Sequence, residues 1–152
     1  MTKYLFLDGG PLGLASKKPD NPKAEQCRRW INELQSAGHI VVIPEIVDYE
    51  VRREILRCKH WDWLARLDAM ASSLSYLRIT TEAMRRAAEF WAELRQGNMQ
   101  TADSKELDCD VILAAQAVTA IQPGDVAIVA TTNIGHLARF KGIEVKPWSY
   151  LA

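Results

Sequence analysis

Lys3-Tyr4-Leu5-Phe6-Leu7-Asp8-Gly9-Gly10-Pro11 is the stretch whose reading decides the fold. A short apolar run bounded by turn residues reads as a buried strand. Asp8 stands where that strand ends. In open α/β sheets ligands gather beyond the carboxyl ends of the strands. A carboxylate there is unfavourable unless it meets a cation or a donor. The plainer reading has Asp8 capping a Gly9-Gly10-Pro11 turn, which aspartate often does.

Further apolar runs at Ile40–Ile43, Leu74–Ile79, Val126–Ala130 and Ile143–Val145 read as strands. Helical patterns separate them. Asn21-Pro22 pairs a cap with a first-turn proline and opens a helix ending near Gly38. Glu45–Leu56 follows the second strand, and Trp61–Met70 continues with Trp61, Leu64 and Leu67 in register. Thr80 or Thr81 caps a long helix through Met84, Ala87, Ala88, Trp91 and Leu94. Asn98–Lys105 is polar and reads as a loop, and Asp108–Ala120 is a helix rich in alanine. Asn133–Phe140 is a short helix or turn. Strands alternating with helices imply right-handed crossovers. The expectation is a three-layer α/β/α sandwich with a parallel sheet of about five strands.

The 152 residues fit one domain spanning 1–152. Hydrophobic content of 48% and charged content of 25% are those of an ordinary globular chain rather than a disordered one. Formal net charge is zero, so a nucleic-acid partner needs a local basic patch. Cys27, Cys58 and Cys109 lie far apart with no CxxC pair, which excludes a zinc ribbon and suits a reducing cytoplasm. No signal-peptide pattern is present, and no apolar run is long enough to span a membrane.

Several motifs fail. Gly9-Gly10 continues into neither GxGxxG nor GxxxxGK[ST]. Gly10 stands where a haloacid-dehalogenase-type phosphatase needs a second aspartate. No GxSxG elbow occurs, and His39, His60 and His136 form no HExxH pair. What remains is acidic. Glu45, Asp48 and Glu50 follow the second strand. Glu45 and Glu50 are five apart and point in different directions, so one of them faces Asp8. Asp108 suits helix capping. Asp110 leads a small, apolar helix, and Thr131-Thr132-Asn133 closes the fourth strand.

The strand ending in Asp8, the segment Tyr49-Glu50-Val51-Arg52-Arg53, the run Asp110-Val111-Ile112-Leu113-Ala114-Ala115-Gln116-Ala117 and Thr131-Thr132-Asn133 occur in this order. Together they resemble a PIN domain, the family that includes VapC-type toxins of bacterial toxin–antitoxin pairs. The resemblance implies a Mg²⁺- or Mn²⁺-dependent endoribonuclease with Asp8, Glu50, Asp110 and Asn133 as catalytic residues. Asp8, Glu50 and Asp110 would hold the metal. Thr131 matches the family's threonine or serine and is assigned to substrate binding. Arg52 and Arg53, just after Glu50, are assigned there too as RNA phosphate contacts, the plainer reading being a salt-bridged helix surface. The resemblance also implies RNA as substrate, a small antitoxin as partner and a homodimer. The loop between Asp8 and Glu50 is longer than in compact toxins, and His136 stands where an acid is often seen. The alternative is a PIN-like module that binds nucleic acid or protein without cutting.

Overall fold

A computed structural model describes residues 3–97 and 104–148. Five strands form one all-parallel sheet: β1 (Lys3–Leu7), β2 (Ile40–Pro44), β3 (Ser75–Leu77), β4 (Val126–Thr131) and β5 (Glu144–Pro147), in the order β3-β2-β1-β4-β5. Seven helices connect them among the described residues: α1 (Gly9–Ala15), α2 (Pro22–Ser36), α3 (Glu45–Arg57), α4 (Trp61–Ser73), α5 (Thr81–Gln96), α6 (Ser104–Ala120) and α7 (Ile134–Leu137). With right-handed crossovers, the connections through β3 cover one sheet face and those to β4 and β5 cover the other.

That arrangement explains the apolar strands. Leu5, Phe6 and Leu7 are buried, as are Val41 to Ile43 and Ala127 to Ala130, because a parallel sheet is covered on both faces. β1 is central. It pairs Leu5 with Val41 and Ile128, and Leu7 with Ala130. Asp8 and the end of β4 therefore emerge side by side. No helix of the described residues is long and apolar enough to cross a membrane.

Three local expectations are corrected. Gly9-Gly10-Pro11 is the first turn of α1 rather than a turn joining strand to loop. Proline fits there because first-turn N–H groups have no intrahelical acceptor, and Leu12 N–H closes the helix onto the Asp8 carbonyl at 3.1 Å. Gly10 is required by space, since a Cβ on it would lie 2.5 Å from Thr132 Oγ1. Second, α6 begins at Ser104, so Ser104 and Lys105 are helical, while the rest of the proposed loop, 98–103, lies outside the described residues. Third, Trp61 is 60% exposed. Trp63 turns inward instead, donating its indole N–H to Ser16 Oγ at 2.8 Å. On α5, Ala83, Ala87, Phe90 and Leu94 are buried, and Met84 and Trp91 face outward.

Candidate active site

Asp8 ends β1, and its backbone N–H donates to Ala130 O at 2.9 Å. It occupies the N-cap position of α1, but its side chain makes no capping bond. Instead Thr131 Oγ1 donates to Asp8 Oδ2 at 2.6 Å, and Thr131 Oγ1 accepts from Asn133 N–H at 2.9 Å. The hydroxyl thus relays the turn after β4 onto the carboxylate. Thr131 has no exposed surface, which corrects its assignment to substrate binding: it touches Asp8, not solvent.

Glu50 projects from the second turn of α3 toward α1. A Cβ on Gly9 would already stand 4.0 Å from Glu50 Oε1. Asp110 comes from α6, with His136 Nδ1 and an Arg139 guanidinium nitrogen each 3.6 Å from its Oδ2. Asn133 precedes α7 and spends no side-chain bond on capping it. Asp8, Glu50, Asp110 and Asn133 line one cavity of about 280 Å³, closed by Gly9, Gly10, His136 and Leu137.

This donor set is oxygen-rich: three carboxylates and an amide. Such hard donors suit Mg²⁺ or Mn²⁺. The volume admits a hydrated cation and a phosphate group, as each water claims roughly 30 Å³. Among the described residues no three acids are drawn into a ready-made cation cage.

The sequence profile of the PIN domain matches residues 19–135. This chain belongs to the PIN domain family. Solved structures with the same fold include VapBC2 from Rickettsia felis bound to a DNA fragment from its promoter, with a TM-score of 0.72 and 18% identity over 95% of this chain and 98% of that one. DNA-bound VapBC from Salmonella typhimurium gives 0.71 and 21% over 97% and 99%. VapC20 from Mycobacterium tuberculosis, a sarcin–ricin-loop-cleaving toxin, gives 0.57 and 14% over 94% and 99%. No curated protein matches the sequence.

Two other acids singled out in the sequence, Glu45 and Asp48, have structural partners in this PIN domain. Glu45 Oε1 accepts from Ile79 N–H at 2.7 Å, facing β3 rather than Asp8. Asp48 is buried and accepts from the Tyr76 hydroxyl at 2.7 Å and from Arg52. That hydrogen bond and burial raise the Tyr76 pKa, burial first. Asp108 is exposed, in a groove with Met84 and Trp91.

Arg52 is held between Asp48 at 3.1 Å and Asp68 at 2.7 Å. Two carboxylates already take its charge, so it braces α3 against α4 rather than pointing to a substrate. Arg53 is exposed, with its guanidinium 5.1 Å from the Tyr49 ring. Sequence reasoning noted His136 as standing where an acid is often seen and did not single out Arg139. Their signal was position: both follow Asn133 on the turn that returns over α6.

Proposed function

We propose that this PIN domain, a single unit over 1–152, is a divalent-metal-dependent endoribonuclease of the toxin type. The observation that carries the reading is the convergence of Asp8, Glu50, Asp110 and Asn133 on one cavity at the carboxyl edge of the sheet. Asp8 and Asp110 are the principal ligands for Mg²⁺ or Mn²⁺, with Glu50 completing the set. The cation, when bound, supplies Lewis-acid polarisation of the phosphoryl oxygen and lowers the pKa of water.

The chain's own groups do the rest. Thr131 fixes one Asp8 oxygen, which leaves the other turned to the cavity. Glu50 accepts a proton-bearing hydrogen bond from the attacking water and orients it. The Asn133 amide donates to a phosphate oxygen or to water. Arg53 offers an exposed cation at the rim, where phosphate contacts place a strand without reading its sequence.

RNA is the proposed substrate, and a structured loop fits the reading because a relative in fold cleaves one. A small antitoxin is the proposed partner, since two of the fold relatives are VapBC complexes. A homodimer in the cytoplasm completes the proposal. The non-catalytic alternative draws on Arg139, which sits beside Asp110 and supplies a positive charge where a cation would otherwise be needed.

One experiment separates them: incubation of mixed single-stranded and structured RNA with the protein in Mn²⁺, Mg²⁺ or EDTA, alongside Asp8→Asn and Asp110→Asn. The nuclease reading expects metal-dependent cutting that both variants lose. Cutting that survives EDTA or Asp110→Asn overturns it, and RNA binding with no cutting in either metal favours the alternative.

A further inference from the structure

The far ends of α1 and α3 carry a second cleft, of about 520 Å³. Its floor is built. Trp63 donates to Ser16 Oγ, and Arg66 Nε donates to the Ser16 carbonyl at 2.9 Å. Lys17 Nζ lies 5.5 Å from the centre of the Trp63 ring. Lys18 and Lys59 add cations to the wall, which also holds Asp20 and Asp62. Lys17, Lys18, Lys59 and Arg66 against Asp20 and Asp62 leave a balance of two positive charges. The 60%-exposed Trp61 stands on the same wall.

Lys59 provides an independent observation. Its N–H donates to Leu56 O, and His60 N–H donates to Ile55 O. These two bonds form the helix-ending motif whose left-handed position normally belongs to glycine. Lys59 holds that position at φ 56°, where a side chain is disfavoured. The backbone gains nothing from a lysine there; the cleft gains a cation.

The cleft also lies on a line from the acidic site. Glu50, Arg53 and Arg57 follow helical spacing and share one face of α3. Lys59 is nine residues beyond Glu50, and Lys17 nine beyond Asp8. Both separations come to about 13 Å at ~1.5 Å per residue, or roughly four stacked nucleotides at ~3.4 Å each.

We propose that this cleft is a second RNA contact, where a base of single-stranded RNA stacks on Trp61 and the flanking phosphates meet Lys17, Lys18 and Lys59. Exposed aromatic rings among cations are how single strands are held without sequence preference. A duplex hides its base faces and cannot use the indole. The direction of the strand, toward the acids, rests on the ribonuclease reading; the binding itself does not.

The test is binding of a fluorescent uridine 12-mer to the full chain in EDTA at two salt concentrations, with Trp61→Ala and Lys59→Gly. Trp61→Ala is expected to weaken binding about tenfold. Lys59→Gly should weaken it several-fold and reduce the log–log salt slope by about 1. Lys59→Gly also relieves the left-handed strain, so its melting temperature should equal or exceed the wild type's, which separates lost contact from lost fold. No binding by the wild type, unchanged affinity in both variants, or equal cleft-dependent binding of a duplex overturns the proposal. Cleavage in Mn²⁺ is scored separately, on the mixed single-stranded and structured RNA used to test the nuclease reading. Cleft-dependent binding without cleavage removes the nuclease reading and keeps the cleft; cleavage with cleft-independent binding does the reverse.

Discussion

The Thr131 hydroxyl donates to Asp8 Oδ2 at 2.6 Å and joins β4 to β1 through their side chains as well as their backbones. The bond links residues 123 apart in sequence and aims the carboxylate at the cavity. Thr131→Val removes it while nearly conserving shape. RNA cleavage should fall by about 10- to 100-fold, the range seen when a partner that orients a metal ligand is lost. Thr131→Ser should restore most of it. A titration of Mn²⁺ against activity locates the defect: weaker apparent metal affinity in Thr131→Val supports positioning, and an unchanged profile excludes it.

Gly10 is fixed by contact rather than by backbone angle. In Gly10→Ala the new methyl meets Thr132 Oγ1 at 2.5 Å and Thr132 Cβ at 3.1 Å, so one element must move. Overpacking of this kind costs about 1–3 kcal/mol. Thermal denaturation should show the loss, and Gly10→Ala combined with Thr132→Gly should recover it. A fully stable single variant would mean that Thr132 swings away freely.

Arg52 and Arg53 are neighbours with opposite duties. Arg52→Ala strips the partly buried Asp48 of its cation while Tyr76 remains bonded to it. Leaving a buried charge short of partners costs about 1–3 kcal/mol, so chemical denaturation should register the change. Arg53 is exposed and lies against the Tyr49 ring, outside the Asp48–Arg52–Asp68 cluster. Arg53→Ala should leave stability within about 0.5 kcal/mol and weaken RNA binding, lowering the salt slope by about 1. Reversed outcomes would exchange the two roles.

The cysteines predict a pH profile for labelling. Burial, followed by the Glu50 charge, pushes the Cys109 thiol up to about 11. Burial pushes Cys27 up to about 12. A raised thiol pKa means the neutral form persists at pH 8, and thiolate is the reactive species. Native alkylation at pH 8, read by mass spectrometry, should modify the exposed Cys58 and spare Cys27 and Cys109. Both should label once urea unfolds the chain. Rapid native labelling of Cys109 would contradict its burial beside Glu50.

Much of this architecture was legible because strands and helices announce themselves by period. Asn21 accepts from Lys23 and Ala24 N–H, and Thr80 accepts from Ala83 N–H, as their places before apolar helices predicted. The start of α1 was hidden because Gly9-Gly10-Pro11 has the composition of a turn. Only its contact with Thr132, distant in sequence, explains the glycine. Trp61 misled because helical spacing tells which residues share a face but not which face is buried.

At the site, the acids could be placed at the carboxyl edge from strand order, and their order along the chain supplied the resemblance. Pairings across the fold could not be read in advance. Arg52 follows Glu50 closely, yet its charge is taken by Asp68 on another helix. Gln116 is buried, accepting from Ile46 N–H at 3.1 Å and donating to Leu77 O at 3.0 Å. In the sequence it is one polar letter in an apolar helix.

The central place of β1 also governs when the acids can meet. Asp8 and Glu50 leave the ribosome early, but Asp110 and the Thr131 that aims Asp8 come far later. At ~5–20 residues per second, the 123 residues between Asp8 and Thr131 take roughly 6–25 s to synthesise. Until β4 emerges and inserts beside β1, the growing chain lacks the hydroxyl that aims Asp8. For a protein proposed to cut RNA, strand order thus delays completion of the site until β4 has been made.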